Sequence, residues 1–308
     1  MAELDPELAS LRDAAAAGGG SVLVELSPAE ARARVVAGNA LCSAGPDVRV
    51  SDVTLTHEGH SVPARVYGDD AAAGRTTLVY GHGGGWVTGD LDYADELCRF
   101  VAHAGTRVVS VDYRLAPEFP FPAAHEDVFR AVLAAASTWG KVGVAGDSAG
   151  GGLVAAATRA AVDMKVHVEF QVLIYPVLDT DRTRPSYLEN ARAFPIGAAE
   201  MAWFFDHYAD EAARQDPRMQ LARGDGAGLP PTFVIASGHD PLRDEAAAYV
   251  ELLRRAGTEA RLLLFPSMCH GYLRFTAAAA RARAARDVTV RLITRLSSGQ
   301  PADQAGDA

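Results

Sequence analysis

The chain has 308 residues, 49% of them hydrophobic, and a formal net charge of −10. That length and composition can bury a sizeable core in one large domain or two small ones, and the acidic balance argues against nucleic acid as a partner, because phosphate binding needs basic patches. Cys42, Cys98 and Cys269 are odd in number and far apart, which is no disulfide framework, and no CxxC pair suggests zinc.

The opening MAELDPELAS has neither the basic region nor the apolar run of a signal peptide. No uncharged apolar run is long enough to span a bilayer, so a soluble cytoplasmic protein is expected. Residues 1–45 are Ala-rich, with helical spacing in ELDPELASLRDAAAA and SPAEARARVVAGNALC, separated by Gly18 to Gly20. Ser27, ahead of Pro28 and Glu30, marks a helix start. The alternating stretches DVTLTHEG and HSVPARVYG predict a strand pair.

From residue 76 the rhythm changes. TTLVYG, TRVVSVDY, KVGVAGDS and VEFQVLIYP predict strands, with helical segments DELCRFVAHAG, AAHEDVFRAVLAAASTWG and AGGGLVAAATRAAV between them. PTFVIASGHD and ARLLLFP predict two more strands, each followed by a helical segment. Short strands alternating with longer helices predict an α/β fold whose parallel sheet is covered on both faces. Residues 180–228 interrupt this pattern with Pro185, Pro195, Gly197 and the apolar cluster Phe194, Met201, Trp203, Phe204, Phe205 and Tyr208. They read as a helical insertion over one end of the sheet. The cluster either lines an acyl pocket or forms the buried face of a helix, the second reading covering most of it. The closing SSGQPADQAGDA is polar and predicted to be disordered.

The strongest chemical signal is KVGVAGDSAGGG, in which Gly146-Asp147-Ser148-Ala149-Gly150 fits G-x-S-x-G between a strand and a helix. Small residues on either side of Ser148 allow a tight turn that holds the hydroxyl above the sheet, and the helix N-terminus favours developing negative charge. A competing dinucleotide pattern in Gly150 to Ala155 places its glycines inside the helix rather than before it, and is discounted. A serine needs a base, and the base needs an acid to fix its tautomer. Asp240 follows the strand PTFVIAS, and His270 lies in FPSMCHGYLRF after ARLLLF, both in loops at the sheet edge that carries Ser148. Asp244 and Asp179 are rival acids; Asp240 is favoured. GHGGGW follows an earlier strand and reads as an oxyanion loop, with the N–H groups of Gly83, Gly84 and Ala149 as donors. HEGH, His57 to His60, has some metal-like spacing but falls in the hairpin link, and no metal is expected.

HGGGW, YRLAPE (Tyr113 to Glu118), GDSAGG, DPLRDE and HGY, in that order, make residues 50–297 resemble the bacterial hormone-sensitive lipase-like esterases, in the branch with a GDSAG elbow. The resemblance implies an α/β-hydrolase fold, with a mostly parallel sheet of about eight strands, helices on both faces and a helical cap. It implies cap segments at 1–45 and 180–228, a catalytic domain from 46–179 and 229–297, and a tail at 298–308. By position it gives Ser148 as nucleophile, His270 as base, Asp240 as triad acid, and Gly83, Gly84 and Ala149 as oxyanion donors. Trp86 and Asp147 are assigned to substrate binding, and Tyr113, Arg114 and Glu118 to bracing the loops. The implied activity is cofactor-free hydrolysis of short- or medium-chain acyl esters, including bulky tertiary-alcohol esters, by a protein that is often a homodimer through an edge strand. Amide or formamide hydrolysis and a non-catalytic small-molecule binder are the alternatives. Cys269 is read as packing, with a thiol near enough to His270 to make activity sensitive to thiol reagents.

Overall fold

The computed structural model describes residues 2–19, 22–68 and 74–302, so Gly20 of the predicted glycine link and residues 303–308 of the predicted tail lie outside the described residues. Glu58 and Gly59 both adopt positive φ, 48° and 80°, and turn β1 (Val50–His57) back onto β2 (His60–Tyr67). Two such residues match the twist of a tight hairpin. The remaining strands are β3 (Thr77–Gly81), β4 (Val108–Val111), β5 (Val142–Asp147), β6 (Gln171–Ile174), β7 (Thr232–His239) and β8 (Ala260–Cys269). They form one eight-stranded sheet in the order β1-β2-β4-β3-β5-β6-β7-β8. Only the β1–β2 and β2–β4 pairs are antiparallel; every pairing from β4 to β8 is parallel.

Successive side chains of the central strands serve opposite faces. Val79, Val144, Leu173 and Val234 pack with α4 (Ala123–Trp139), α5 (Ala149–Asp163) and α8 (Arg243–Arg255). Leu78, Ala145, Val172 and Phe233 pack with α3 (Asp95–His103) and α9 (Ala280–Ser297). Two buried faces explain why these strands read as continuous apolar runs rather than alternating ones. At the N-terminus, α1 (Pro6–Ala17) is capped by Asp5, whose side chain accepts from the Glu7 and Leu8 N–H groups. Ser27 and Glu30 form a reciprocal capping box at the start of α2 (Pro28–Ala37), the boundary that the sequence predicts. The insertion contains α6 (Pro185–Glu189) and α7 (Ala198–Tyr208). Both the N-terminal segment and the insertion reach the carboxyl end of the sheet, where they wall a common cavity.

Strand register positions the site. Gly81 lies beside Gly146, so the loops leaving β3 and β5 start level with each other. His239 pairs with Cys269, which makes Asp240 and His270 the next residues on two adjacent parallel strands. This second pairing exists because β8 continues past Pro266, where the sequence predicts a loop, to Cys269. Pro266 is tolerated because β8 is an edge strand, with one side free of ladder bonds. Opposite it, a Cβ at Gly238 would collide with the Pro266 carbonyl, so glycine allows the two strands to approach there. Among the described residues, no helix is long and apolar enough to cross a membrane.

Candidate active site

Ser148 connects β5 to α5 with φ 54° and ψ −122°, a conformation that L-residues rarely adopt. The surroundings enforce it. Its N–H donates to the Ile174 carbonyl at 2.9 Å, and its own carbonyl accepts from Val177 N–H at 3.0 Å. The flanking glycines are needed for contact: a Cβ on Gly146 would stand 2.6 Å from the Gly150 carbonyl oxygen. The elbow thus presents Oγ to the cavity while the rest of the turn packs against backbone.

Ser148 Oγ lies 2.9 Å from His270 Nε2, and His270 Nδ1 lies 2.8 Å from Asp240 Oδ2. An ionised carboxylate can only accept, so it selects the tautomer with the proton on Nδ1 and leaves Nε2 to accept from the serine hydroxyl. Asp240 Oδ1 accepts from Leu242 N–H at 2.8 Å, which fixes the carboxylate plane. The rival acids face elsewhere. Asp244 accepts from Ser186 N–H at 2.8 Å, and Asp179 is buried against Arg184 and Arg223. The Tyr175 ring, 4.9 Å from the His270 ring, braces the imidazole from a residue that itself has φ 35°. Cys269 is fully buried, and burial pushes its thiol pKa up, so the thiol is packing material shielded from reagents rather than a reactive neighbour.

The glycine loop requires a correction. Gly83 N–H donates to Asp147 Oδ1 at 2.8 Å, so it is not available to an oxyanion. Gly84 and Gly85 border the cavity together with Ser148, whereas Gly83 does not. Gly85, which the sequence reading leaves out, thus stands on the cavity wall beside Gly84, while Gly83, which it includes as a donor, has its N–H occupied by Asp147. Ala149 opens α5, where the N–H groups of the first turn have no partner within the helix. Asp147 is also corrected: it is buried beneath the loop, accepting from Tyr80 Oη at 2.8 Å as well as from Gly83, and does not border the cavity. Burial pushes its carboxyl pKa up.

Trp86, assigned to substrate binding, is a third correction. It is buried, stacks on Tyr208 at 4.6 Å and packs against Phe205 at 5.5 Å, and it does not border the cavity. The apolar cluster of the insertion divides into two groups. Phe194, Met201 and Phe204 face the cavity, while Trp203, Phe205 and Tyr208 pack into the protein. The YRLAPE residues brace the loops: Tyr113 Oη donates to the His82 carbonyl at 2.8 Å, Arg114 pairs with Asp127, and Arg32 of α2 donates to Glu118 at 2.8 Å.

The cavity measures about 320 Å³. Leu11, Leu23, Val35 and Leu41 from the N-terminal segment face Phe194, Ile196, Met201 and Phe204 from the insertion, with Ser148 and His270 at the base. Its polar lining includes Thr88, Tyr93, Arg34 and Arg274 and, among the described residues, no carboxylate. Such an arrangement can activate a hydroxyl beside a small apolar chamber.

The chain resembles known proteins in both sequence and fold. The family model described as "alpha/beta hydrolase fold" matches residues 78–274. The carboxylesterase NlhH of Mycobacterium tuberculosis is 40% identical over 248 residues, covering 75% of this chain and 77% of its own. An ethyl acetate hydrolase of Pseudomonas putida is 36% identical over 293 residues, covering 88% of this chain and 92% of its own. The solved structure of an esterase from Pyrobaculum calidifontis superposes with a TM-score of 0.88 at 32% identity, covering 96% of this chain and 99% of that one. The chain belongs to the esterases and carboxylesterases of the α/β-hydrolase family.

Proposed function

We propose that this chain is a serine carboxylesterase of the hormone-sensitive lipase-like, GDSAG-type group, hydrolysing short- and medium-chain acyl esters through an acyl-enzyme. The observation that carries the reading is the continuous hydrogen-bonded series Ser148 Oγ, His270 Nε2, His270 Nδ1, Asp240 Oδ2, with spacings of 2.9 and 2.8 Å, at the base of an apolar cavity. His270 takes the Ser148 proton as Oγ attacks the ester carbonyl. The tetrahedral oxyanion is held by the N–H groups of Gly84, Gly85 and Ala149, and His270 then protonates the leaving alcohol. Water repeats the sequence on the acyl-enzyme and restores the serine. HGGGW, YRLAPE, GDSAGG and DPLRDE support the branch assignment.

Residues 1–45 and 180–228 act as the cap, supported by the side chains that both contribute to the cavity wall. A volume of about 320 Å³ is near the lower end of ligand pockets, which span about 300–1,000 Å³, and favours short and medium chains. Leu262 and Leu264, exposed on edge strand β8, support a homodimer formed by edge pairing, which sedimentation velocity would detect.

The function is tested with p-nitrophenyl acetate, butyrate, octanoate and palmitate, comparing wild type with Ser148→Ala. Activity that peaks at short or medium chains and is lost in the variant is the expected result. No wild-type activity above that of the variant on any chain would remove the reading.

A further inference from the structure

Three consecutive glycines imply open space beside the reacting ester, yet here that space has an occupant. Gly85 has φ +59°, and a Cβ built on it would stand 2.1 Å from Cδ1 of the Phe204 ring, a collision. Phe204 comes from α7, far away in sequence, and borders the same cavity as Gly84, Gly85 and Ser148. The ring thus sits where a side chain on the oxyanion loop would otherwise be.

Both partners in this contact are fixed. On the loop, Thr88 N–H donates to the Gly84 carbonyl at 2.9 Å, and Gly83 is held by Asp147. On α7, Trp203 packs edge-on against Phe204 at 5.2 Å between ring centroids. The far end of the helix is anchored by the Trp86–Tyr208 stack and by the 2.7 Å contact between Tyr208 Oη and His125 Nδ1. A substituent that pushes on the ring must therefore move a packed helix, and overpacking a well-filled site is costly.

We infer that Phe204 sets the tolerance of the site for bulk next to the ester group: its ring takes up the room left by Gly85, so the site selects esters unbranched at the carbons adjoining the ester and rejects those with a quaternary carbon there. This rests on the esterase reading above and reverses the expectation, implied by the family resemblance, that tertiary-alcohol esters are accepted. Selectivity resides in the cap rather than in the loop.

The test measures kcat/KM for two isomer pairs, n-butyl against tert-butyl acetate and ethyl butyrate against ethyl pivalate, for wild type, Phe204→Ala and Phe204→Leu. Rates are normalised to the amount of Ser148 titrated by a fluorophosphonate, so that misfolded protein is not counted. The wild type is expected to prefer the unbranched isomer of each pair beyond the isomers' intrinsic difference in alkaline hydrolysis. Phe204→Ala is expected to narrow at least one ratio by about 10-fold or more, the scale on which a pocket discriminates small apolar groups. Phe204→Leu is expected to narrow it by less, and it carries the test if Phe204→Ala gives no titratable serine. The inference is overturned if the wild type shows no preference beyond the intrinsic one, or if both ratios stay unchanged when the ring is removed. Turnover of p-nitrophenyl butyrate but of none of the four esters would overturn this inference alone; if p-nitrophenyl butyrate also went unhydrolysed while Ser148 was still titratable, the esterase reading would fail and this inference with it.

Discussion

Ser148, Gly83 and Asp147 illustrate how little of a residue's role is contained in its own identity. Asp147 stands beside the elbow serine in sequence, which suggests contact with substrate, yet Ser148 turns at φ 54° and sends its neighbour beneath the loop. There Asp147 Oδ1 receives both Tyr80 Oη and Gly83 N–H at 2.8 Å, and so fixes the start of the segment that carries Gly84 and Gly85, the proposed donors. In the proposed mechanism this makes it a positioning residue. Asp147→Ala is expected to lower kcat by about 10- to 100-fold with little change in KM, somewhat less than the roughly 100- to 1,000-fold lost when an oxyanion donor is deleted outright. Asp147→Asn keeps an oxygen that accepts both donors and is expected to recover most of the loss. Steady-state kinetics on p-nitrophenyl butyrate separates the roles: a raised KM with kcat intact would return Asp147 to substrate binding.

Among the elements, the strands and core helices were legible because each carries its own signal in apolar runs, glycine punctuation and helical spacing. Ser148, Asp240 and His270 were legible for a related reason, since each follows a strand and parallel strands deliver their ends to one edge. The choice among three glycines was not, because it depends on which N–H meets Asp147. Nor was the inward packing of Trp86, which depends on where α7 places Tyr208. The same holds for the seam between the N-terminal segment and the core, which Arg274 closes four residues after His270. Its guanidinium donates to the Tyr93 carbonyl at 2.7 Å and the Val35 carbonyl at 3.2 Å, also reaches Asn39 Oδ1, and lies 4.2 Å above the Tyr93 ring. Charge-assisted bonds of this kind contribute about 1.5–3 kcal/mol each. Arg274→Gln is expected to loosen α2, seen as faster tryptic cleavage within residues 1–45 than in wild type. Unchanged cleavage in that segment would mean that the contacts of Leu11, Leu23 and Val35 hold the seam without the arginine.

Across the whole molecule, a sheet covered on both faces leaves little room for polar groups, and among the described residues two histidines besides His270 are buried. His82 is fully buried and stacks on Tyr113 at 4.3 Å; burial holds its pKa down to about 4. His125 is buried where α4 meets α7; burial, with a smaller contribution from Arg218, lowers its pKa to about 3. In the unfolded chain a histidine takes up its proton near pH ~6.5. Between that pH and the depressed folded value the unfolded state therefore binds more protons, and stability falls as pH falls. The loss is about 1.4 kcal/mol per pH unit for each histidine. Asp147 and Glu245, whose carboxyl pKa values burial pushes up, act in the opposite direction, so the pH profile of the wild type alone mixes the two effects. A difference measurement isolates one histidine. His125→Gln removes the titrating group and leaves the buried acids in place, so the stability gap between wild type and variant, measured by urea unfolding, is expected to shift by about 2 kcal/mol against the wild type between about pH 7 and about pH 5. A gap that stays constant over this range would mean that the folded protein lets His125 take up its proton as readily as the unfolded chain does.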